Sequence, residues 1–398
     1  MVFSLLLTIF ACTIALELLP ENKSMPLDTN NINRKSTEYT NQLKTAGNWY
    51  ETSVISIDGD AEGVDAHNWT WVGEQAWFGG GTGIVDDPYL LENISISVDS
   101  ASPGLTIQDS GVFFNLNNVT VTNINVEGNG IYLYNVENGT LNDVNLLDNG
   151  LDGILMQNVN FTDLTDITAT GNGDDGIQMT WSVVNTITTS NISENTGEGL
   201  YMANSTLNEI LSSYFQTNGE DGICAEDSDL NVFIIESDSN IFNGLQLIDS
   251  DNCTIILSEF WDNTIAGVLL IEDDGDTKDN YIYGNTFSGN GENGVDNATT
   301  NYWDNGAIGN NWDDYSGVDA DDNTIGDTPY LVGGSAGAED NYPYCNDGDE
   351  SIIVVVSSSS ESDEDEILDS FYFEKSIILC ILGISLALFT IKRIYSTK

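Results

Sequence analysis

A glycine followed by an aliphatic residue recurs through the middle of the chain at a nearly fixed interval. The glycines are Gly104, Gly130, Gly153, Gly176, Gly199, Gly222, Gly244, Gly267 and Gly294. From Gly130 to Gly222 each interval is 23 residues, and the later intervals are 22, 23 and 27. A period of this length is typical of solenoids, in which each repeat packs against its neighbours along one axis.

The residues that follow each glycine indicate strands. The first residue after the glycine is Ile, Leu or Val in every repeat, and the third is apolar in most of them. Alternation with a period of two is typical of a strand with one buried face. A further apolar column, eleven residues after the glycine, includes Leu141, Leu164 and Ile187 and indicates a second inward-facing strand. No segment has an apolar stripe at helical spacing, so the pattern predicts an all-β parallel β-helix.

An asparagine precedes most of these glycines by four residues. The column contains Asn149, Asn172, Asn195, Asn218, Asn240, Asn263 and Asn290. Asparagine tolerates left-handed backbone geometry, and its amide can bond to the amide of the next coil. We therefore interpret the column as a structural ladder.

The charge balance excludes one class of partner. The chain has 9 Lys and Arg against 64 Asp and Glu, a net charge of -55. Nucleic acid is excluded because phosphate binding needs basic patches. No Lys or Arg lies between Lys44 and Lys278. Such a surface either binds cations or is solvated acid that keeps the protein soluble.

The two ends of the chain predict a compartment. An apolar N-terminal run resembles a secretory signal, and an uncharged Ile- and Leu-rich run near the C-terminus precedes Lys392 and Arg393. The pattern predicts a single-pass cell-surface protein with its C-terminus in the cytoplasm, and ten Asn-x-Ser/Thr sequons are compatible with glycosylation. The predicted segments are a signal peptide (1–16), a flexible spacer (17–48), an N-terminal cap with the first coils (49–103), the β-helix repeats (104–300), a C-terminal cassette (301–345), an acidic Ser-rich stalk (346–375), a transmembrane helix (376–394) and a tail (395–398).

The outward positions of the strand after each glycine carry aromatic and amide side chains. We predict that they form a substrate-binding strip composed of Tyr132, Tyr134, Gln157, Gln178, Trp181 and Tyr201. Aromatic rings can stack on sugar rings, and amides can bond to sugar hydroxyls. The alternative is an ordinary polar exterior with incidental tyrosines.

Acidic residues lie one or two positions before the glycines, beside this strip. The candidates for catalysis are Asp152, Asp174, Asp175, Glu198 and Asp221. Equivalent positions of successive coils are about 4.8 Å apart, so these carboxylates repel one another unless calcium, a raised pKa or water relieves the repulsion. Carboxyls on adjacent coils would have about the separation of the pair in a retaining glycosidase. Acidic turns on a solvated rod are the alternative.

Two other chemistries are disfavoured. Uronate lyases need a base such as Lys, Arg, His or Tyr, and the core coils contain no Lys or Arg. The one histidine, His67, precedes them. We expect no copper, because imidazole and sulfur ligands are almost absent.

A calcium-type loop follows the coils. Asp319, Asp321, Asn323 and Asp327 provide oxygen atoms at relative positions 1, 3, 5 and 9 of an EF-hand-type loop. Thr324 stands where such a loop has Gly, and no Glu closes it. The pattern predicts structural Ca²⁺, with an ordinary acidic turn as the alternative.

The segments Gly309–Gly317 (GNNWDDYSG), Val318–Tyr330 (VDADDNTIGDTPY) and Asp340–Pro343 (DNYP) resemble the terminal cassette of archaeal surface proteins with right-handed parallel β-helix repeats. Those proteins are related to the NosD-like and the carbohydrate-binding and sugar-hydrolase β-helix domains. The resemblance implies a right-handed helix and assigns the cation to the loop residues. The copper of some relatives does not carry over, nor do the polygalacturonase motifs, because Asp174 and Asp175 lack the accompanying Gly-His-Gly and Arg-x-Lys.

Two functions remain open. The first, which we favour, is a non-enzymatic, membrane-anchored surface protein that binds glycans or builds an envelope layer and is stabilised by Ca²⁺. The second is a surface glycoside hydrolase that uses the acidic residues. Polysaccharide or surface glycans are the expected partners in both.

Overall fold

The computed structural model describes residues 49–345 except Val64. In chain order its elements are β1 (Trp49–Glu51), β2 (Ile55–Asp58), α1 (Trp69–Val72), β3 (Phe78–Gly80), β4 (Tyr89–Ile96), β5 (Leu105–Ser110), β6 (Phe114–Thr122), β7 (Ile131–Glu137), β8 (Gly139–Leu147), β9 (Ile154–Asn160), β10 (Asp163–Thr170), β11 (Ile177–Thr180), β12 (Thr186–Thr188), β13 (Asn191–Ser193), β14 (Leu200–Ala203), β15 (Glu209–Gln216), β16 (Ile223–Glu226), β17 (Val232–Asp238), β18 (Asn243–Ile248), β19 (Thr254–Ile256), β20 (Glu259–Trp261), β21 (Ala266–Ile271), β22 (Tyr281–Tyr283), β23 (Thr286–Ser288), β24 (Glu292–Asp296), β25 (Asn311–Trp312), β26 (Tyr330–Leu331) and β27 (Glu339–Asp340).

The strands form two long sheets that run along the solenoid. Sheet A has 15 strands and follows the order β1-β4-β6-β8-β10-β12-β15-β17-β20-β23-β25, with β3, β13, β19 and β22 paired to its members. Sheet B has ten strands in the order β2-β5-β7-β9-β11-β14-β16-β18-β21-β24. Successive coils pair in parallel, whereas β3 pairs antiparallel with β4 and β26 pairs antiparallel with β27. The chain is therefore a parallel β-solenoid, as the glycine interval predicts, and it is right-handed with about ten turns.

The register of sheet B reproduces the sequence columns. Ile154 pairs with Ile177, and Ile177 with Leu200, so the residues that follow successive glycines lie side by side. These residues and those two positions later, such as Met156 and Met179, are fully buried. The inward columns of both sheets thus form one continuous apolar core.

The recurring glycine is required by the distance between coils. A Cβ on Gly199 would lie 2.5 Å from the carbonyl oxygen of Gly222 and 2.8 Å from Nδ2 of Asn218. The other repeat glycines from Gly130 to Gly267 have a similar contact with the backbone of the next coil. Glycine at this position of each repeat therefore leaves room for close stacking of the coils and for the asparagine ladder.

The asparagine ladder runs along the interior as the sequence indicates. Asn172 Nδ2 donates to Oδ1 of Asn195 at 2.9 Å, and Asn195 Nδ2 donates to Oδ1 of Asn218 at 3.0 Å. Each amide also bonds to backbone, as Asn195 Nδ2 does to the carbonyl of Ala169 at 3.1 Å. These bonds satisfy buried polar groups that would otherwise destabilise the coil.

Each regular coil bends at four left-handed corners. In the coil that follows Gly130 the residues with positive φ are Asn135, Asn138, Asp143 and Asp148. Equivalent residues recur at intervals of about 23 residues, and several of them are neither Asn, Asp nor Gly. Left-handed geometry is unfavourable for bulky residues, so these corners are imposed by the stacking of the coils.

Aromatic side chains cover the C-terminal coil. The ring of Phe287 stacks on Trp312 at 4.4 Å, and Trp312 stacks on Tyr330 at 4.1 Å. The indole nitrogen of Trp312 donates to Oδ2 of Asp340 at 2.9 Å. Residues beyond the last repeat glycine thus shield the apolar end of the core.

The predicted localisation needs correction. Within residues 49–345, no helix has the length and apolarity needed to cross a membrane. This finding contradicts the predicted single-pass anchorage at the cell surface, which rests on an apolar run and the positive charges behind it. That run, residues 376–394, lies outside the described residues, as do the predicted signal peptide (1–16), spacer (17–48), stalk (346–375) and tail (395–398).

Candidate functional site

Five neighbouring strands of sheet B, β7, β9, β11, β14 and β16, bring most of the predicted strip together. Gln178 lies beside Tyr201, and Tyr134 lies beside Gln157 in the pairing of adjacent strands. The sheet B face is defined here by Tyr132, Tyr134, Gln157, Gln178, Tyr201 and Glu226. The side chains of this face are half-buried, apart from the exposed Tyr134. The face is therefore a shallow surface and not a closed pocket.

Side-chain hydrogen bonds connect residues of this face across the coils. The hydroxyl of Tyr132 donates to Oε1 of Gln157 at 2.7 Å, and the hydroxyl of Tyr201 donates to Oε2 of Glu226 at 2.8 Å. Burial and this bond to Glu226 raise the pKa of Tyr201. Both rings are thus held in one orientation, which preorganises the surface for a ligand.

Trp181 lies at the edge of the face, at the corner that follows β11. Its φ is 54° and its side chain is 65% exposed. The equivalent corner in adjacent coils is occupied by Asn135, Asn158, Asn204 and Asp227, which tolerate this geometry better. A large exposed aromatic residue in an unfavourable backbone conformation is a feature that often marks a functional position.

A column of acidic side chains borders the face at the opposite end of the strands. The acidic column comprises Asp152, Asp175, Glu198 and Asp221, which precede successive glycines. The three aspartates are buried and Glu198 is half-buried. Oδ1 of Asp152 accepts the backbone N–H of Asp175 at 3.2 Å, and Oδ1 of Asp175 accepts that of Glu198 at 2.9 Å. The column therefore links the coils, besides presenting carboxyl groups to the face.

Burial and proximity raise the pKa values of this column. Burial raises the pKa of Asp152 to about 7 and that of Asp221 to about 7. Burial is also the main cause of the raised pKa values of Asp175 and Glu198. The raised pKa values reduce the predicted repulsion, and those of Asp152 and Asp221 lie in the range useful for proton transfer.

Asp174 differs from the column because it is exposed. One carboxyl oxygen from each of Asp152, Asp174 and Asp175 lies within 4.8 Å of the other two. The structure thus places three of the five predicted catalytic candidates in direct proximity. Glu198 and Asp221 continue the column on the next two coils.

In the calcium-type loop, two of the predicted ligands accept hydrogen bonds from backbone N–H groups. Oδ1 of Asp319 accepts the backbone N–H of Asn323 at 3.1 Å, and Oδ2 accepts that of Thr324 at 2.5 Å. Oδ2 of Asp327 accepts the N–H of Ala320 at 2.9 Å. Partial desolvation and the nearby carboxylates of Asp319 and Asp327 raise the pKa of Asp321. The four predicted ligands are therefore grouped in one loop, with two carboxylates partly engaged by backbone.

Two contacts of the site are not apparent in the sequence pattern. Glu226 bonds to a tyrosine of the face, and Asn243 continues the acidic column after Asp221. The backbone N–H and Nδ2 of Asn243 donate to Oδ1 of Asp221 at 2.7 and 2.9 Å. Asn243 directly precedes Gly244, so the position before each repeat glycine identifies it once the column is followed past Asp221.

The fold and the face define a right-handed parallel β-helix protein with one polar, aromatic side. A family model described as "right handed beta helix region" matches residues 103–243. This match supports the fold, whereas the resemblance to NosD-like and archaeal surface proteins stays a prediction. No curated protein matches the sequence significantly.

Three solved structures have some similarity to this chain. The periplasmic alginate epimerase AlgG is 14% identical with a TM-score of 0.43, and the match covers 55% of this chain and 61% of that one. Pectate lyase Pel9A is 10% identical with a TM-score of 0.44, covering 75% and 80%. Tailspike protein 2 of the Escherichia coli O157:H7 bacteriophage CAB120 is 13% identical with a TM-score of 0.45, covering 62% and 40%. The chain spans about three fifths of AlgG, and similarities this weak do not identify an activity.

Proposed function

We propose that the sheet B face binds glycans. The observation that carries this proposal is Trp181, an exposed indole held at a left-handed corner beside a row of oriented tyrosine and glutamine side chains. A flat ring of this kind stacks on the apolar face of a sugar, and the adjacent polar groups bond to its hydroxyls. The repeated, shallow geometry suits an extended oligosaccharide.

The replacement Trp181→Asn tests this proposal. It installs the residue type that occupies the same corner in neighbouring coils, so the fold should be retained while the stacking platform is lost. We expect binding on a glycan array to fall at least about tenfold, since one aromatic contact of this kind contributes about 1–3 kcal/mol. The matched control is Tyr50→Asn, because Tyr50 is 78% exposed on sheet A. Unchanged binding by a folded Trp181→Asn variant contradicts the proposal.

Hydrolysis is the second candidate, and one observation favours it. The oxygens of Asp152, Asp174 and Asp175 lie within 4.8 Å, close to the separation of about 5–5.5 Å between the carboxyl groups of retaining glycosidases. Burial raises the pKa of Asp152, which suits a general acid, whereas the exposed Asp174 suits a nucleophile. Release of reducing sugar that is abolished by both Asp174→Asn and Asp152→Asn would establish this activity. Release that persists in both variants contradicts it.

We also propose that the loop of Asp319, Asp321, Asn323 and Asp327 holds a structural Ca²⁺ ion. Oxygen donors suit this cation. The raised pKa of Asp321 reflects carboxylates in close proximity, which a divalent cation between them would stabilise. The ion would tie together a segment just before Tyr330, whose ring packs on the covered end of the solenoid.

A further inference from the structure

The outward side chains of sheet A change from polar to apolar along the solenoid. One outward row begins with Asn142, Thr165 and Thr188 on successive coils. The same row continues with Leu211 and Ile234 on the next two coils. The solvated face of a sheet is ordinarily polar, as it is on the earlier coils. The later coils therefore have an exterior that is unusual for a surface in contact with water.

Strands β15, β17, β19 and β22, with the corners beside them, carry a group of neighbouring apolar side chains. This apolar patch comprises Leu207, Leu211, Leu230, Val232, Ile234, Ile256, Leu257, Tyr281, Tyr283 and Tyr302. Five of its side chains, three leucines and two tyrosines, are between 37% and 46% exposed. The rings of Tyr281 and Tyr302 stack at 4.8 Å, and Thr254 lies between Val232 and Tyr281. The patch extends over several coils and contains no charged side chain.

Three leucines of the apolar patch lie at left-handed corners of the coils. Their φ angles are 62° at Leu207, 58° at Leu230 and 51° at Leu257. This conformation is unfavourable for leucine, and the exposed side chains gain little packing within the chain to offset it. Asn252 occupies the corner of Leu230 in the next coil, so a polar residue fits this position. Burial of these leucines against a partner would supply the missing packing.

The size and shape of the apolar patch suit one half of a protein interface. Large side chains present about 150–250 Å² when fully exposed, so the exposed fractions correspond to about 500 Å² of apolar surface. A patch of this size on a soluble protein often marks an interaction site. Two such patches in contact, together with their polar rims, reach the total of about 1,200–2,000 Å² that a stable interface buries. The outer face of a sheet also packs well against a second sheet, at about 10 Å.

The charged residues at one edge of the apolar patch are paired within the chain. Oδ1 of Asp229 accepts the backbone N–H of Asp251 at 2.8 Å, and Oδ1 of Asp251 accepts that of Lys278 at 3.0 Å. Nζ of Lys278 also pairs with Oδ2 of Asp251 at 3.8 Å. Lys278 is the one base of the sequence between Lys44 and Lys375. This edge therefore presents both signs of charge, which suits contact with an identical edge better than contact with a basic partner.

We propose that the apolar patch is the core of an interface between two copies of this chain, which pack through their sheet A faces about a two-fold axis. The face proposed to bind glycans belongs to sheet B, so this association does not use it. Burial of the two patches favours the dimer, whereas the net charge of -55 on each chain opposes it. Salt screens that repulsion, and the dimer is therefore tighter at high ionic strength.

Sedimentation velocity of the full-length protein, over a range of protein concentrations at low and high NaCl, tests this inference. We expect a monomer–dimer equilibrium with a dissociation constant that falls as salt rises. A triple variant, Leu207→Asn, Leu230→Asn and Leu257→Asn, should raise that constant at least about tenfold and keep the circular dichroism of the native fold, because asparagine tolerates these corners. Ile234→Thr, which installs the residue type of Thr188 in the same row, should raise it as well. The control replaces three exposed apolar residues outside the patch and should leave the constant unchanged: Val126→Asn, Ile241→Asn and Ile265→Asn.

Several results would overturn the inference. A native protein that is monomeric at every concentration and salt does so, whichever other segment or molecule covers the patch. A dimer that weakens as salt rises does so too, because it indicates association through charges. A dimer that both the triple variant and Ile234→Thr leave intact, or that the control weakens equally, places the contact elsewhere on the chain. If the triple variant does not fold, Ile234→Thr against the control decides between these results.

Discussion

The backbone N–H of Glu198 donates to Oδ1 of Asp175 at 2.9 Å, and the two residues precede the repeat glycines of successive coils. Burial raises the pKa of both carboxyl groups, and the charge of Asp175 raises that of Glu198 further. Burial removes most of the solvent that would otherwise stabilise two negative charges, and Asp152 and Asp221 extend the column above and below the pair. The acidic column thus joins the coils through hydrogen bonds from backbone N–H groups, as those of Asp175 and Glu198 show.

The first prediction concerns the pH dependence of stability. The folded-state pKa values of the acidic column are raised above those of the unfolded chain, so its contribution to stability is complete near pH 4 and is lost as pH rises through the folded values. For Asp152 and Asp221 that loss begins near the ordinary pKa of 3.8 and is complete by about pH 7. We expect the free energy of unfolding to fall between pH 5 and 9 by about 1–4 kcal/mol per group. Denaturant titrations at successive pH values measure this.

A variant with a neutral side chain in the acidic column separates the effect of the column on the pH dependence of stability from that of the other surface carboxylates. Glu198→Gln keeps a hydrogen-bonding group beside Asp175 but cannot ionise. Its free energy of unfolding should depend less steeply on pH from 5 to 9 than that of the native protein. Glu259→Gln on sheet A should retain the native slope. Identical slopes for all three proteins are incompatible with a protonated column.

The fold could be predicted from the sequence because its period is explicit. The glycine interval sets the coil length, and the residues after Gly153 and Gly176 give the inward columns that the register confirms. The left-handed corners could not be predicted in the same way, because Phe161, Val184 and Leu207 occupy one of them. Their conformation depends on coils 23 residues away and not on local preference.

The candidate site could be predicted only in part, for a related reason. Alternation places Gln178 and Tyr201 on one face, and the structure confirms that they are neighbours. Periodicity does not reveal side-chain pairing, so the bonds of Tyr201 to Glu226 and of Asn243 to Asp221 appear only once the coils are stacked. The burial of the acidic column was not predicted either, because residues next to a turn glycine are usually solvated.

The second prediction concerns the repeat glycine. In Gly176→Ala, the added Cβ would lie 2.2 Å from Cγ2 of Ile192 and 2.7 Å from the carbonyl oxygen of Gly199. The coils would have to separate locally, at a cost of about 1–3 kcal/mol or more. Thermal unfolding should show a clearly lower melting temperature. Gly111→Ala is the control, since a Cβ there has no heavy atom within 4 Å. Similar melting temperatures for the two variants would refute the packing explanation.

The third prediction concerns the asparagine ladder. Asn195→Ala removes the acceptor of the Asn172 amide and the donor to Asn218, which leaves buried polar groups unpaired. We expect a loss of about 2–4 kcal/mol in the free energy of unfolding. Asn158→Gly provides the control, because that exposed corner has positive φ and glycine retains the geometry, so its effect should stay below about 1 kcal/mol. A loss in Asn195→Ala no larger than in the control would show that the ladder is dispensable.

The last prediction concerns calcium in the loop of Asp319–Asp327. A cation that binds only the folded state raises the melting temperature, and at one hundred times its Kd it adds about 2.7 kcal/mol to the free energy of unfolding. We expect the native protein to melt at a higher temperature in Ca²⁺ than in EGTA, and Asp321→Asn to lose most of that difference. Asp322→Asn should keep it, because Asp322 lies between the proposed ligands and its positive φ suits asparagine equally well. Equal melting temperatures in Ca²⁺ and EGTA would exclude a structural ion, and equal losses in both variants would place the ion outside this loop.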